Sequence, residues 1–262
     1  MIQSLKEIMH PELITRTETC EKHGEYTSRC YIGKMWSKCP VCVEEITAED
    51  RRKEAEELNA KRLEAWQRKI GGSGIPERFH DRTLQTFVPE TPEQEKALAF
   101  CKQYASNFAE VVSKGSSALF VGKPGTGKTH LACGVALQIM QEQNRTVYFT
   151  TVMRAIRRVK ECWNKANVET ESQAVAALAY PDLLILDEVG VQFGSEFERN
   201  ILFDILNERY EKRKPTILMS NLPREQVITY LGERVMDRLR EDGGRLIVFD
   251  WDSYRKKLRE QA

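Results

Sequence analysis

Apolar and polar positions change rhythm several times along the chain, and each change marks an element. From Ala118 to Val121 four apolar residues run without interruption, and after a glycine-rich break Leu131, Ala132, Val135, Ala136 and Ile139 recur at helical spacing. The same order repeats downstream: Thr146 to Thr151 then Val152 to Asn164, Leu183 to Asp187 then Ser195 to Arg213, Thr216 to Ser220 then Arg224 to Leu231, and last Leu246 to Phe249. Short apolar runs alternating with longer amphipathic stretches predict an α/β fold, a parallel five-stranded sheet flanked by helices. A helix from Thr91-Pro92-Glu93 to Val112 precedes the first strand; Ser195 and Glu198 form a capping-box pair, and Gly232 suits a helix end.

Upstream of Ile75 the rhythm is different. Residues 1 to 19 carry a weak helical pattern broken at Pro11. From Glu44 to Ile70 apolar residues are sparse and charges alternate, with Glu49/Lys53, Glu57/Lys61 and Glu64/Arg68 at i,i+4 in the favourable order, which predicts a solvated spacer helix. Leu58, Leu63, Trp66 and Ile70 give that helix a thin apolar stripe open to a partner. Gly71-Gly-Ser-Gly74 then predicts a break and a hinge. Three parts follow: a small module over 1–43, a charged linker helix with its Gly-rich hinge over 44–74, and an α/β domain over 75–262.

Composition narrows the setting. The 262 residues suffice for one α/β domain plus a small module, and a net charge of +1 leaves any nucleic-acid surface to local clustering. No apolar run reaches the length of a membrane span, and Met1 to Leu13 has no signal-peptide core, so the expectation is a cytoplasmic protein with no membrane partner. Seven cysteines in such a protein point to metal or free thiols rather than disulfides. Cys20-x₂-His23 and Cys39-x₂-Cys42 present two ligand pairs, each on a short turn, which is a closed tetrahedral Zn²⁺ set; Cys30 is a fifth possible donor, able to replace a ligand or stand free. So short a module has little apolar surface of its own, and a structural metal would hold its fold.

The glycine-rich break is the richest in chemistry. Gly122-Lys-Pro-Gly-Thr-Gly-Lys128-Thr129 fills every fixed position of the phosphate-cradling G-x-x-x-x-G-K-[ST] loop. Gly122, Pro124, Gly125, Thr126, Gly127, Lys128, Thr129 and His130 form the candidate ATP cradle: backbone amides and a helix N-terminus face the phosphates, Lys128 reaches the β- and γ-phosphates, and the Thr129 hydroxyl binds Mg²⁺. Leu183-Leu-Ile-Leu186-Asp187-Glu188 is an apolar strand ending in two carboxylates, Asp187 for Mg²⁺ and Glu188 to activate the attacking water. Asn221, closing the next strand, can orient that water. Arg234, Arg238 and Arg240 crowd a short helix, either as an exposed basic face or to reach a neighbouring subunit's γ-phosphate. A single-stranded DNA surface is expected on Arg154, Arg157, Arg158, Lys160, Trp163 and Lys165, where cations neutralise backbone and the indole stacks on bases, unless Trp163 belongs to the core. Ser195 and Phe197 are a second candidate contact, with helix capping the rival role for Ser195.

The phosphate loop, Asp187-Glu188-Val-Gly-Val-Gln192, Leu231-Gly-Glu-Arg-Val-Met-Asp-Arg238 and Phe249-Asp-Trp251-Asp-Ser-Tyr-Arg255 together resemble the DnaC-type replicative helicase loaders of bacteria and their phage and prophage relatives, within the AAA+ P-loop ATPases, over about residues 75 to 258. The resemblance implies that Arg238 is an arginine finger, Asn221 sensor 1 and Arg255 sensor 2. It also implies an ATP-dependent self-oligomer that binds single-stranded DNA and delivers the hexameric replicative helicase to it. The cysteine-rich start is similar to phage-type relatives rather than to the purely helical start of the best-known loader, and the stretch after Phe249 is short for a full AAA+ lid. With the nucleotide and DNA chemistry all placed after Ile75, the cysteine-rich module is left as the helicase handle. Three other readings compete: a transposase-helper ATPase, a P-loop phosphotransferase, and a nucleotide-gated adaptor without hydrolysis, which the intact Glu188 disfavours.

Overall fold

The computed structural model describes residues 14–31, 35–164, 168–190, 195–241 and 243–254. The chain divides into two compact units, Met1–Ala65 and Trp66–Ala262.

In the first unit, β1 (Thr15–Cys20), β2 (Gly24–Tyr31) and β3 (Met35–Trp36) form an antiparallel sheet in that order, with Thr15 opposite Arg29 and Cys20 opposite Gly24. Of the weak helical pattern expected over residues 1 to 19, positions 1–13 lie outside the described residues and Thr15–Cys20 is a strand, whose Thr-Arg-Thr-Glu-Thr alternation suits a half-exposed hairpin. Among the described residues of this unit only Ser28 and Cys39 are buried. Ser28 bonds to the Ser37 carbonyl at 2.8 Å, and Cys39 brings a thiol. Apolar packing this thin does not hold a fold by itself.

Helix α1 runs Pro40–Gly72 and crosses the unit boundary. The expected Glu49–Lys53 ion pair forms, at 2.8 Å. The expected hinge does not: Gly71 and Gly72 lie inside the helix, and Ser73 is buried, its carbonyl accepting from Phe149 N at 2.7 Å. Gly74, at φ +71°, lies so close to that strand that a Cβ would meet the Phe149 carbonyl at 2.3 Å. The apolar stripe also splits. Ile70 is buried and Trp66 packs on the same core, while Leu58 and Leu63 stay exposed.

The second unit holds a five-stranded parallel sheet: β4 (Ala118–Gly122), β5 (Val147–Thr151), β6 (Leu183–Asp187), β7 (Thr216–Ser220) and β8 (Arg245–Phe249), in the spatial order β5-β6-β7-β4-β8. Every strand stands where the apolar pattern placed it. Both faces are covered, so successive residues feed different cores: Phe120, Ile185 and Met219 pack on one side, Leu119, Leu184 and Leu218 on the other. The first core includes α2 (Pro92–Ser106) and α4 (Lys128–Glu142); the second takes α5 (Val152–Glu161), α6 (Glu171–Ala179), α7 (Glu196–Glu211), α8 (Arg224–Leu231) and α9 (Glu233–Glu241). The helix expected from Thr91 to Val112 is two, because α2 stops at Ser106 and α3 (Phe108–Lys114) restarts after Asn107. Thr91 caps α2 by accepting from Gln94 N, and the Ser195/Glu198 capping box opens α7 as expected.

One buried charge ties the lower ends of this unit together. Arg209 on α7 is 1% exposed and donates to Thr216 Oγ1 and to the carbonyls of Leu178, Ala179, Pro181 and Pro215. All three guanidinium nitrogens find partners, which is what allows a charge to lie among helices and strand ends.

Candidate functional site

The site forms where β4, β6 and β7 end. Gly122 leaves β4 at φ +142°, and a Cβ there would lie 2.2 Å from the Phe249 carbonyl. Gly127 caps α4 at φ +94°, where a Cβ would meet the Phe87 ring at 2.7 Å. Both positions need glycine for conformation and for space. Between them Thr126 is buried, its hydroxyl donating to the Lys123 carbonyl at 2.8 Å, with Pro124 on the exposed shoulder and Gly125 at φ +80°. The loop thus leads into the N-terminus of α4, where no side chain caps the first amides and the helix dipole favours an anion. Lys128 is 6% exposed, and its Nζ donates to the carbonyls of Gly122 and Lys123, both at 2.7 Å. An ammonium held this way is poised to exchange loop carbonyls for phosphate oxygens.

Thr129 Oγ1 donates to Asp187 Oδ2 at 3.2 Å, so the hydroxyl and carboxylate assigned to Mg²⁺ are adjacent. These hard oxygen donors beside a phosphate cradle fit a magnesium ion that keeps several waters. Burial pushes the Asp187 carboxyl up, opposed by the Glu188 amide on Oδ1 at 2.8 Å, by Thr129 and by the Lys128 charge. Glu188 follows at φ +63°, a left-handed conformation unusual for a residue with a side chain, and it is exposed. Val189 N bonds to the Met219 carbonyl at 2.9 Å, and Ser220 Oγ to the Val189 carbonyl at 2.6 Å. These bonds bring Glu188 and the exposed Asn221 to one edge of the sheet.

Sequence reasoning missed the two walls of the loop. Trp251 Nε1 donates to the Thr126 carbonyl at 2.9 Å, Tyr254 N to the Gly125 carbonyl at 3.0 Å, and Lys123 pairs with Asp250 at 2.9 Å. The Phe249-Asp-Trp-Asp-Ser-Tyr254 stretch, singled out only through a resemblance, is thus a strap over the phosphate loop. The other wall is Thr83 to Phe87. His130, expected in the nucleotide cradle, turns its ring to this wall: Nε2 lies 2.9 Å from the Thr83 carbonyl and 3.1 Å from Thr86 Oγ1, with the Phe87 ring edge-on at 5.4 Å. Burial lowers its pKa. No periodicity marks Phe87; the only cue is the glycine it requires at 127. Arg255, the expected sensor 2, lies outside the described residues.

Arg238 donates to Asn207 Oδ1 on α7 and stacks over Tyr210, 4.6 Å from the ring centroid. It lines a cavity with Ser117 and Thr216, where β4 and β7 begin. That is the opposite end of the sheet from Lys128.

On the helical face beyond β5, Trp163 is 48% exposed, so the core alternative is set aside. Its ring meets the exposed Phe197 ring at 4.9 Å, edge-on, and its Nε1 donates to Glu171 at 2.8 Å. Two of the expected cations are already engaged: Arg158 is bonded to Glu169 at 2.6 Å, and Lys160 to Glu198 at 2.7 Å. Arg154 and Arg157 are exposed; Lys165 lies outside the described residues. Ser195 is exposed and caps α7, accepting from Glu198 N at 3.3 Å.

In the first unit, donor atoms of Cys20, His23, Cys39 and Cys42 all lie within 4.8 Å of one another. Zn–S bonds of about 2.3 Å and Zn–N bonds of about 2.0 Å require tetrahedral edges of about 3.8 Å between sulfurs and about 3.5 Å from sulfur to nitrogen. The Cys20 and Cys42 sulfurs are 3.5 Å apart, and His23 Nδ1 lies 3.7, 3.6 and 3.3 Å from the sulfurs of Cys20, Cys39 and Cys42. The set therefore fits zinc, and Cys30 stands outside it. Backbone amides of Lys22 and then His23 on its sulfur lower the Cys20 thiol to about 6, while its hydrogen bond with Cys20 pushes the Cys42 thiol up to about 11, so the pair shares one proton.

A parallel sheet in this order, a phosphate loop after β4 and Asp187-Glu188 after β6 define a P-loop ATP-binding domain of the AAA+ class. The model of the IstB-like ATP binding protein family matches residues 101–262. The replicative helicase loader DnaC of Buchnera aphidicola subsp. Baizongia pistaciae is 35% identical over 192 residues, 73% of this chain and 76% of that protein. The DnaC of Escherichia coli K12 is 33% identical over the same shares. A crystal structure of the DnaC helicase loader superposes with a TM-score of 0.59 at 27% identity, over 66% of this chain and 99% of that one. A crystal structure of DnaI, at 21% identity and a TM-score of 0.56, shares the fold. The chain belongs to the DnaC-like branch of the IstB-like AAA+ ATP-binding family. Among the described residues no helix is long and apolar enough to cross a membrane.

Gly127→Ala, which drives a Cβ into Phe87, is expected to weaken ATP binding by more than tenfold. Trp251→Phe removes one hydrogen bond to the loop, worth about 0.5–1.5 kcal/mol, and should weaken it by about two- to tenfold. Titration with a fluorescent ATP analogue reads both; unchanged affinity in Trp251→Phe would show that the strap does not shape the cradle.

Proposed function

We propose that this protein is an ATP-dependent loader that binds the hexameric replicative helicase and delivers it to single-stranded DNA, hydrolysing ATP to reset the complex. The observation that carries the reading is the convergence of Lys128, the Thr129–Asp187 pair and Glu188 on one edge of the sheet, in a chain related over most of its length to helicase loaders. Gly122 to Thr129 cradle the triphosphate, and Lys128 offsets charge on the β- and γ-phosphates. Thr129 and Asp187 would hold Mg²⁺, which would supply charge neutralisation to the phosphates. Glu188 accepts a proton from water as its oxygen attacks the γ-phosphorus in line, the bond to the β-phosphate oxygen breaks, and ADP and phosphate leave. Asn221 orients that water. Arg238, standing at the far end of the sheet from its own loop, serves a neighbouring subunit's γ-phosphate, so turnover requires a self-oligomer. Arg255 is assigned to the same nucleotide as sensor 2. The setting is cytoplasmic, where reduced thiols remain free to hold zinc.

Single-stranded DNA is assigned to the Trp163–Phe197 pair with Arg154 and Arg157, and to Ser195 beside them. Arg158 is a weaker contributor than its sequence position promised, because Glu169 already neutralises it. The zinc-held module is assigned to the helicase.

These assignments separate in experiment. Glu188→Gln should retain ATP binding and lose turnover, whereas Lys128→Ala loses both; Arg238→Ala should bind ATP, hydrolyse it poorly, and recover activity when mixed with Lys128→Ala protein. Absence of any recovery, with assembly confirmed, would return Arg238 to a structural role. Trp163→Ala should weaken single-strand binding by about 1–3 kcal/mol with little change in its salt dependence, while Arg157→Ala flattens the salt slope; equal slopes in a filter-binding series would remove Arg157 from the interface. Full-length protein should co-elute with a hexameric replicative helicase in ATP, and residues 66–262 should bind ATP without capturing it. Capture at full strength by that fragment would move the handle into the ATPase domain, and no capture by the full chain would refute the loader.

A further inference from the structure

The metal set of the first unit leaves one question of geometry open, which is what turns His23 so that one particular ring nitrogen faces the sulfurs. Nδ1 points into the cluster of Cys20, Cys39 and Cys42, and Nε2 points away, 3.2 Å from Glu45 Oε1. Packing does not fix the ring, because the unit buries only Ser28 and Cys39 among its described residues. His23 itself sits in the turn between β1 and β2, its side chain 21% exposed. Among the described residues Glu45 is the sole hydrogen-bond partner of Nε2.

We propose that Glu45 is a positioning residue for a zinc site: it accepts the Nε2 proton of His23 and thereby holds the tautomer and ring orientation in which Nδ1 binds the metal. A nitrogen that donates its lone pair to a metal carries no proton, so the other nitrogen must carry it and needs an acceptor. A carboxylate is acceptor-only, which makes it the appropriate group. Its place on the chain matters as well. Glu45 lies three residues beyond Cys42 on α1, so both project from the same helix face. One turn of α1 therefore supplies a ligand and the group that aligns a second ligand, and the hairpin turn is fastened to α1 through the ring of His23 at both nitrogens.

The inference rests on the zinc reading of this cluster, and the test keeps the two apart. Full-length protein and its Glu45→Ala, Glu45→Gln and Glu44→Ala variants would be titrated against a chromophoric zinc chelator, with ¹⁵N spectra of the histidine side chains recorded alongside. Wild type should hold one zinc per chain and show His23 protonated at Nε2. Glu45→Ala should lose about tenfold in zinc affinity, the lower end of the range for outer-shell partners because Glu45 is half exposed. Glu45→Gln should recover most of that loss, since its amide oxygen still accepts from Nε2. Glu44→Ala removes the same charge one residue earlier and should leave affinity unchanged. A wild-type protein that holds no zinc overturns both the metal site and this role. Wild type with one zinc and Glu45→Ala of equal affinity overturns the role of Glu45 alone, as does an equal loss in Glu44→Ala, which would assign the effect to helix charge.

Discussion

A phosphate can be held by backbone amides only if nothing stands between them and the anion, and that requirement governs the second unit. Gly122 lies beneath the Phe249 carbonyl and Gly127 against the Phe87 ring, so the loop is shaped by what presses on it from either side. Phe249 ends β8 and Phe87 precedes α2, which means that two segments far apart in sequence converge on the loop between them. The sheet order makes this possible, since β8 lies directly beside β4 and pairs Phe249 with Gly122 in register. The aromatic contacts Phe120–Phe249 and Phe249–Trp251, with ring centroids 5.2 and 4.9 Å apart, carry the packing from the first core up to the strap. Removing bulk from this stack would disturb the loop before it disturbed the sheet.

The two units solve the problem of stability differently. The second unit buries apolar residues on both faces of a parallel sheet, and it accommodates even a guanidinium by giving Arg209 five acceptors. The first unit has no such interior, and its order is concentrated at four ligand atoms and the hydrogen bonds around Ser28 and Ser37. An ion held by those four atoms would replace, with a few strong bonds, the many weak contacts that a larger domain collects.

Legibility in the sequence followed the strength of the local signal. The five parallel strands were readable because each is a short apolar run buried on both sides, and the phosphate loop, Asp187-Glu188 and the Cys/His pairs because their chemistry demands fixed spacings. Errors arose where tertiary contact overrode local preference. Gly71 to Gly74 reads as a break, yet two of its glycines stay helical and the third, Gly74, lies against β5, where glycine serves close approach rather than freedom. Trp66 and Ile70 looked like a stripe for a partner, yet Ile70 is buried in the core and Trp66 packs against it. Helix α6 was overlooked, being short and rich in alanine, although its Thr170/Gln173 capping box is a signal that could have revealed it. The one cue to Phe87, the glycine at 127, was masked because the loop already explained that glycine.

The conformation of Glu188 has a consequence for how such a protein changes over time. At φ +63° any side chain with a Cβ is strained by about 1–3 kcal/mol, whereas glycine is at ease. The residue assigned to water activation therefore occupies one of the least comfortable backbone positions in the domain. Selection for resistance to heat alone would favour glycine there, as it would at Asn144 and Arg213, and the carboxylate would be lost. A glutamate there carries a backbone cost that glycine would not, and a carboxylate working at that edge of the sheet is what would offset it.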